Sequence, residues 1–123
     1  MQKLERPARK TGFAHFLAAA GYSIGGARRL WREAAFRQEV LGLALVVALF
    51  AAVGASLAEF VGLIVLALIV LAVEALNTAI EELVDNASPG WSEFAKAAKD
   101  MGSFAVMCLL TATGIYAGWV VLF

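Results

Sequence analysis

The 123-residue chain balances ten Lys and Arg against ten Asp and Glu, yet 62% of it is hydrophobic and only 16% is charged. That excludes a soluble globular domain and describes a small polytopic membrane protein. All ten basic residues fall before Val40 or between Lys96 and Lys99, a positive-inside pattern that assigns the N-terminal arm and the 82–100 loop to the cytoplasm. No basic patch interleaves with aromatics on a soluble surface, so this charge points to anionic lipid headgroups and not to nucleic acid.

In chain order, Met1 to Lys10 is a charged tail expected to fray. Thr11 to Ala20 is short and amphipathic, and Gly21, Gly25 and Gly26 are expected to break or bend the chain after it. Ala27 to Gln38 then sets Arg28, Arg29, Arg32 and Arg37 beside Leu30, Trp31 and Phe36, as in a helix lying in the membrane interface. Residues 1–39 are thus expected to form a cytoplasmic tail and interfacial helix, and residues 40–57 the first span. Because the long apolar run begins only at Val40, no signal peptide is expected.

Ala58-Glu59 is expected to be a tight outer turn, with residues 60–80 as the second span. Asp85 to Gly90 carries turn chemistry, Trp91 to Asp100 a short polar helix or loop, and residues 102–123 a third span. The expected architecture is an all-α membrane protein: an interfacial amphipathic helix plus three transmembrane helices in a single domain over 1–123. The N-terminus would be cytoplasmic and the C-terminus periplasmic. Cys108, the single cysteine, reads as a small buried hydrophobe. Small residues, including Gly114 and Gly118, permit close helix packing. Three thin helices enclose little interior, so a polar site here calls for neighbouring copies of the chain.

The second span ends in Glu74-Ala75-Leu76-Asn77-Thr78-Ala79-Ile80-Glu81-Glu82. Helical steps of three and four place Glu74, Asn77 and Glu81 on one face. A carboxylate at membrane depth costs several kcal/mol, about 2.5–3.5 at the bilayer centre, so it usually faces protein and does chemistry. Glu82 is well described as an ordinary solvated charge. Glu33, Glu39, Lys99 and Asp100 share the same headgroup layer. Carboxylates and an amide oxygen suit Mg²⁺, a lysine suits phosphate, and helix N-termini near Trp91 and Met101 offer free N–H groups. Together these are the parts of phosphoryl transfer. Taken singly, Lys99-Asp100 also reads as an interfacial anchor and Glu39 as a helix end at the waterline. The chain contains no His/Cys metal spacing and no Gly-rich nucleotide motif of the GxxxxGK or GxGxxG type.

The block from Glu74 to Glu81, with Asp85, resembles the signature of the small prokaryotic diacylglycerol kinase family. Ala98-Lys99-Asp100-Met101-Gly102-Ser103, Glu33-Ala34-Ala35-Phe36-Arg37-Gln38-Glu39 and Ala19-Ala20-Gly21-Tyr22-Ser23 resemble its other blocks, in order, from about Gly12 onward. The resemblance implies ATP-dependent, Mg²⁺-assisted phosphorylation of diacylglycerol to phosphatidic acid at the inner membrane, by a homotrimer with shared active sites. It implies Glu74 as general base and Glu33 and Glu81 as Mg²⁺ ligands that also meet the nucleotide. Tyr22, Asn77, Gly90, Trp91, Ser92, Lys99 and Asp100 would border ATP. His15, Phe36, Arg37, Glu39, Glu74 and Ser103 would meet the lipid. His15 stands where enterobacterial members carry arginine, Gly25 replaces a more basic residue, and Gly90-Trp91-Ser92 differs in side chains. The sister branch, undecaprenol kinase, is the alternative enzyme; a proton- or ion-conducting oligomer or a structural partner subunit are the alternatives from other classes.

Overall fold

A computed structural model describes residues 3–123 as four helices: α1 Gly12–Leu30, α2 Ala34–Val53, α3 Leu57–Ala87 and α4 Glu93–Leu122. Met1 and Gln2, part of the expected tail, lie outside the described residues, and Lys3 to Thr11 has no regular structure. By length and composition α2, α3 and α4 are each able to cross a membrane.

The glycines do not interrupt α1, which runs unbroken through Gly21, Gly25 and Gly26. None of those three adopts a positive φ, so each is simply carried along as a weak helix former. The break comes later, at Trp31-Arg32-Glu33, where the amides of Arg32 and Glu33 return to the carbonyls of Arg29 and Leu30. Glu33 is extended (φ −81°, ψ 125°), and α2 starts behind it. Glu33, Phe36, Arg37 and Glu39 therefore belong to the head of the first long apolar helix and not to the interfacial helix. Two contacts hold the corner: Trp31 meets Phe36 edge-on at 6.3 Å, and Arg37 donates to the Trp31 carbonyl at 2.7 Å.

The outer turn also comes earlier than Ala58-Glu59. Gly54 takes a left-handed conformation (φ 72°), and the Ala55 amide closes back on the Phe50 carbonyl at 3.0 Å. Ser56 then caps α3 reciprocally with Glu59: Glu59 N–H donates to Ser56 Oγ at 3.2 Å, and Ser56 N–H to Glu59 Oε1 at 2.9 Å. A glycine stop followed by a capping box outweighs the apolar run that hid the boundary.

At 31 and 30 residues, α3 and α4 are about 46 and 45 Å long, well beyond a hydrocarbon core of roughly 30 Å. Measured from Leu57, that core ends about one turn past Val73. Glu74 sits at its edge, and the rest of α3 projects beyond it. Trp91 to Asp100 is no separate element: from Glu93 on it is the start of α4, capped by Ser92, which accepts from Ala95 N–H at 3.3 Å. A helix N-terminus at Met101 is therefore absent.

The principal packing is α3 against α4. Near the α2–α3 turn, Phe50 lies between Phe60 (5.8 Å) and Tyr116 (6.1 Å), and Tyr116 donates to the Glu59 carbonyl at 2.7 Å. Phe50, Leu63 and Val70 are fully enclosed, and Val84 and Ala95 continue the seam into the projecting ends. Most other large apolar side chains, such as Leu68, Ile69, Phe104 and Ile115, face outward. Cys108 is exposed on the lone chain as well, contrary to its expected burial.

Candidate functional site

The C-terminal half of α3 places Glu74, Asn77 and Thr78 in the chain's interior, with Glu74 only 5% exposed. The three-residue step holds here because α3 is regular throughout and turns this face toward α2 and α4. Near Glu74 stands Glu39 of α2, half-buried, the two carboxyl groups close enough to act on each other. Glu33 and Glu81 lie close enough to act on Glu74 electrostatically. Glu33 and Glu39 at the head of α2 and Glu74 and Glu81 on α3 thus belong to one acidic region of the chain.

Two buried oxygens in this region have no hydrogen-bond partner, Glu39 Oε2 and Asn77 Oδ1. A buried acceptor left bare is costly, so each calls for a donor or a cation from outside the chain. Asn77 Oδ1 is set against Gly102 of α4, where a Cβ would meet it in direct overlap. Glu39 lies on a groove of about 430 Å³ between α2 and α4, lined by Gly42, Leu43, Leu110, Gly114 and Ala117 among others. The groove is apolar along most of its length, with a carboxyl toward one end.

Lys99, half-buried on α4, pairs with Asp85 at 2.6 Å, and its Nζ lies 5.9 Å from the Trp91 ring centroid. Asp100 is drawn to Lys96 at 2.5 Å and is exposed. The Gly90-Trp91-Ser92 link is tied down by Ser88, whose hydroxyl bonds the Gly90 carbonyl at 2.9 Å and the Ser92 hydroxyl at 3.0 Å. The α4 N-terminus and Lys99 thus lie near the turn. Ser103 is exposed on α4, while Phe36 is buried at the head of α2. His15 and Tyr22 are not brought to the carboxylates: they line a separate groove of about 540 Å³ formed by the N-terminal segment and α1.

Two participants escaped the sequence reading. Arg29 forks between Glu33, at 2.6 Å, and Glu82 of α3. Its guanidinium is held above its ordinary pKa by the Glu33 hydrogen bond first and the Glu82 bond second. The Arg29/Glu33 spacing of four was legible as a helical pair, but the reach to Glu82 was not. Gly102 stood in the Ala98–Ser103 block, but its contact with Asn77 was not legible.

Among the described residues no three His, Cys, Asp or Glu side chains form a ready-made metal cage. A Mg²⁺ site does not need one, since this ion uses one or two carboxylates and completes its shell with phosphate and water. Glu33 and Glu81 would supply carboxylate oxygens of that kind.

Three long apolar helices able to cross a membrane, with Glu74 and Asn77 buried on one face of α3, define an integral membrane protein. The particular family follows from comparison: the prokaryotic diacylglycerol kinase family matches residues 21–122, and the chain belongs to it. A diacylglycerol kinase of Sinorhizobium sp is 51% identical over 115 residues, covering 94% of this chain and 84% of the relative. The diacylglycerol kinase of Escherichia coli K12 is 43% identical over 98 residues, covering 79% and 80%. That of Pseudomonas aeruginosa is 41% identical over 103 residues, covering 83% and 84%.

Proposed function

We propose that the protein transfers the γ-phosphoryl group of ATP to the free hydroxyl of sn-1,2-diacylglycerol, giving phosphatidic acid and ADP. The observation that carries this is the buried Glu74 carboxyl, near Glu39 at the level where the hydrocarbon ends. A lipid with its acyl chains in the bilayer presents its hydroxyl at that depth, and Glu74 is placed to accept the proton as the oxygen attacks phosphorus. The relatives' shared name favours diacylglycerol over a polyprenol.

In this reading one acyl chain lies along the α2/α4 groove and Glu39 meets the glycerol end. Phe36, Arg37 and Ser103 border the headgroup on one side and His15 on the other. Lys99 exchanges Asp85 for phosphate oxygens, and the Ser92 end of α4 offers its free N–H groups to the same charge. Asn77, Gly90, Trp91, Asp100 and Tyr22 complete the nucleotide side. Glu33 and Glu81 hold Mg²⁺, which when bound neutralises charge on the transferring phosphoryl group.

The protein works as a homotrimer with shared sites in the bacterial inner membrane, its N-terminus cytoplasmic and its C-terminus periplasmic. The outward-facing apolar surface and the distance of His15 and Tyr22 from the carboxylates within one chain support assembly. The test is Mg²⁺-dependent γ-phosphate transfer by purified protein in mixed micelles, with diacylglycerol and undecaprenol offered together. Phosphatidic acid as the main product is expected; polyprenyl phosphate as the main product, or no lipid product from folded protein, refutes the reading.

A further inference from the structure

The geometry points to Arg29 as a positioning residue for this reaction: its fork to Glu82 ties the Glu33 carboxylate to the end of α3 that carries Glu74 and Glu81. The inference rests on the proposed role of Glu33 at the metal and names what keeps that carboxylate in place.

Glu33 is badly held by everything else around it. It lies at the corner between α1 and α2, where its side chain makes no cap hydrogen bond. The other acidic group on the same arginine, Glu82, repels it, so a Glu33 freed from Arg29 would swing away into water. The α1 helix gives no packing anchor, because none of its residues is buried. What remains is Arg29, one turn earlier, bound to Glu33 at 2.6 Å and to Glu82 on the projecting end of α3.

A guanidinium suits this task better than an ammonium, since its planar fork satisfies two carboxylates at once in fixed directions. It stays charged throughout the accessible pH range, its pKa being raised further by Glu33 and then by Glu82. The bridge therefore joins the surface helix to α3 just beyond Asn77 and Glu81 and sets the distance between Glu33 and the rest of the cluster. Outer partners that orient metal ligands commonly govern affinity by about 10–100-fold. Here the Arg29 and Glu33 side chains are each 39% exposed, and solvent screening places the effect at or below the lower end, about 5–10-fold.

The experiment uses full-length protein in nanodiscs, with Arg29→Ala, Arg29→Lys, Glu82→Gln, Glu33→Gln and Arg29→Ala/Glu33→Gln. Mn²⁺ binding in the presence of a non-hydrolysable ATP analogue is read by electron paramagnetic resonance, and the Mg²⁺ dependence of turnover is read separately. Arg29→Ala and Glu82→Gln are expected to weaken Mn²⁺ binding and raise half-saturating Mg²⁺ by about 5–10-fold, with a smaller change in kcat at saturating Mg²⁺. Arg29→Lys restores part of the loss, and the double variant is no weaker than Glu33→Gln alone, because Arg29 acts through Glu33. Unchanged Mn²⁺ affinity in Arg29→Ala, alongside a loss in Glu33→Gln, overturns the role of Arg29 alone. Unchanged affinity in Glu33→Gln overturns the metal role of Glu33 and this inference with it. Additive losses in the double variant also refute it, since Arg29 would then act by another route.

Discussion

Replacing Glu74 by Gln removes the proposed base while keeping its size and its neighbours. A positioned general base is worth about 10²–10⁴ in rate, or about 2.7–5.5 kcal/mol of barrier. Glu74 is only 5% exposed, so bulk water is poorly placed to take over the proton, and the loss should fall in the upper half of that range. Stability should move the other way or not at all. The change keeps the shape of the side chain, and the new amide can donate to Glu39, whose Oε2 lacks a partner. A hydrogen bond to a charged group contributes about 1.5–3 kcal/mol. Turnover is measured as labelled phosphate entering extractable lipid at saturating Mg·ATP, and unfolding by the fluorescence of the three tryptophans. Glu93→Gln, at the exposed start of α4, serves as the control expected to behave as wild type. A Glu74→Gln protein that retains turnover within about threefold, less than 1 kcal/mol of barrier, would refute the assignment.

Other substitutions probe the frame around the base. Gly102→Ala places a methyl group on Asn77 Oδ1, so the α3/α4 seam must part or Asn77 must turn; a stability loss of about 1–3 kcal/mol is expected, together with a fall in turnover. An unfolding midpoint and kcat equal to wild type would show that this contact does not hold Asn77. Ser56→Ala breaks the reciprocal cap at the outer turn and should cost about 1 kcal/mol of stability. Because that turn lies at the far end of α3 from Glu74, kcat per folded molecule should stay unchanged, and a drop there would count against the separation.

Much of this protein is legible in its residues because a bilayer imposes simple rules. Apolar runs long enough to cross it are readable by eye, and Glu74, Asn77 and Glu81 share a face by helical arithmetic alone. Breaks were harder to read. Gly21, Gly25 and Gly26 looked like a boundary and are helical, because three weak formers do not end a helix whose flanks favour it. The actual corner at Trp31-Arg32-Glu33 has no breaker residue and is held by Trp31 on Phe36 and by Arg37 on the Trp31 carbonyl. Likewise α4 begins at Glu93, eight residues ahead of its apolar run, because the projecting ends of α3 and α4 support each other through Val84, Ala95 and the Asp85–Lys99 pair.

By itself the amino-acid order determined the membrane class, the three long helices, the polar face and the family signature, since each depends on neighbours within a few turns. Only the tertiary structure decided that Glu39 stands near Glu74, that Asn77 Oδ1 lies bare against Gly102, and that Arg29 joins Glu33 to Glu82. Those contacts pair residues of different helices, and their geometry is set by how α1, α2 and α4 pack around α3, which no local periodicity encodes.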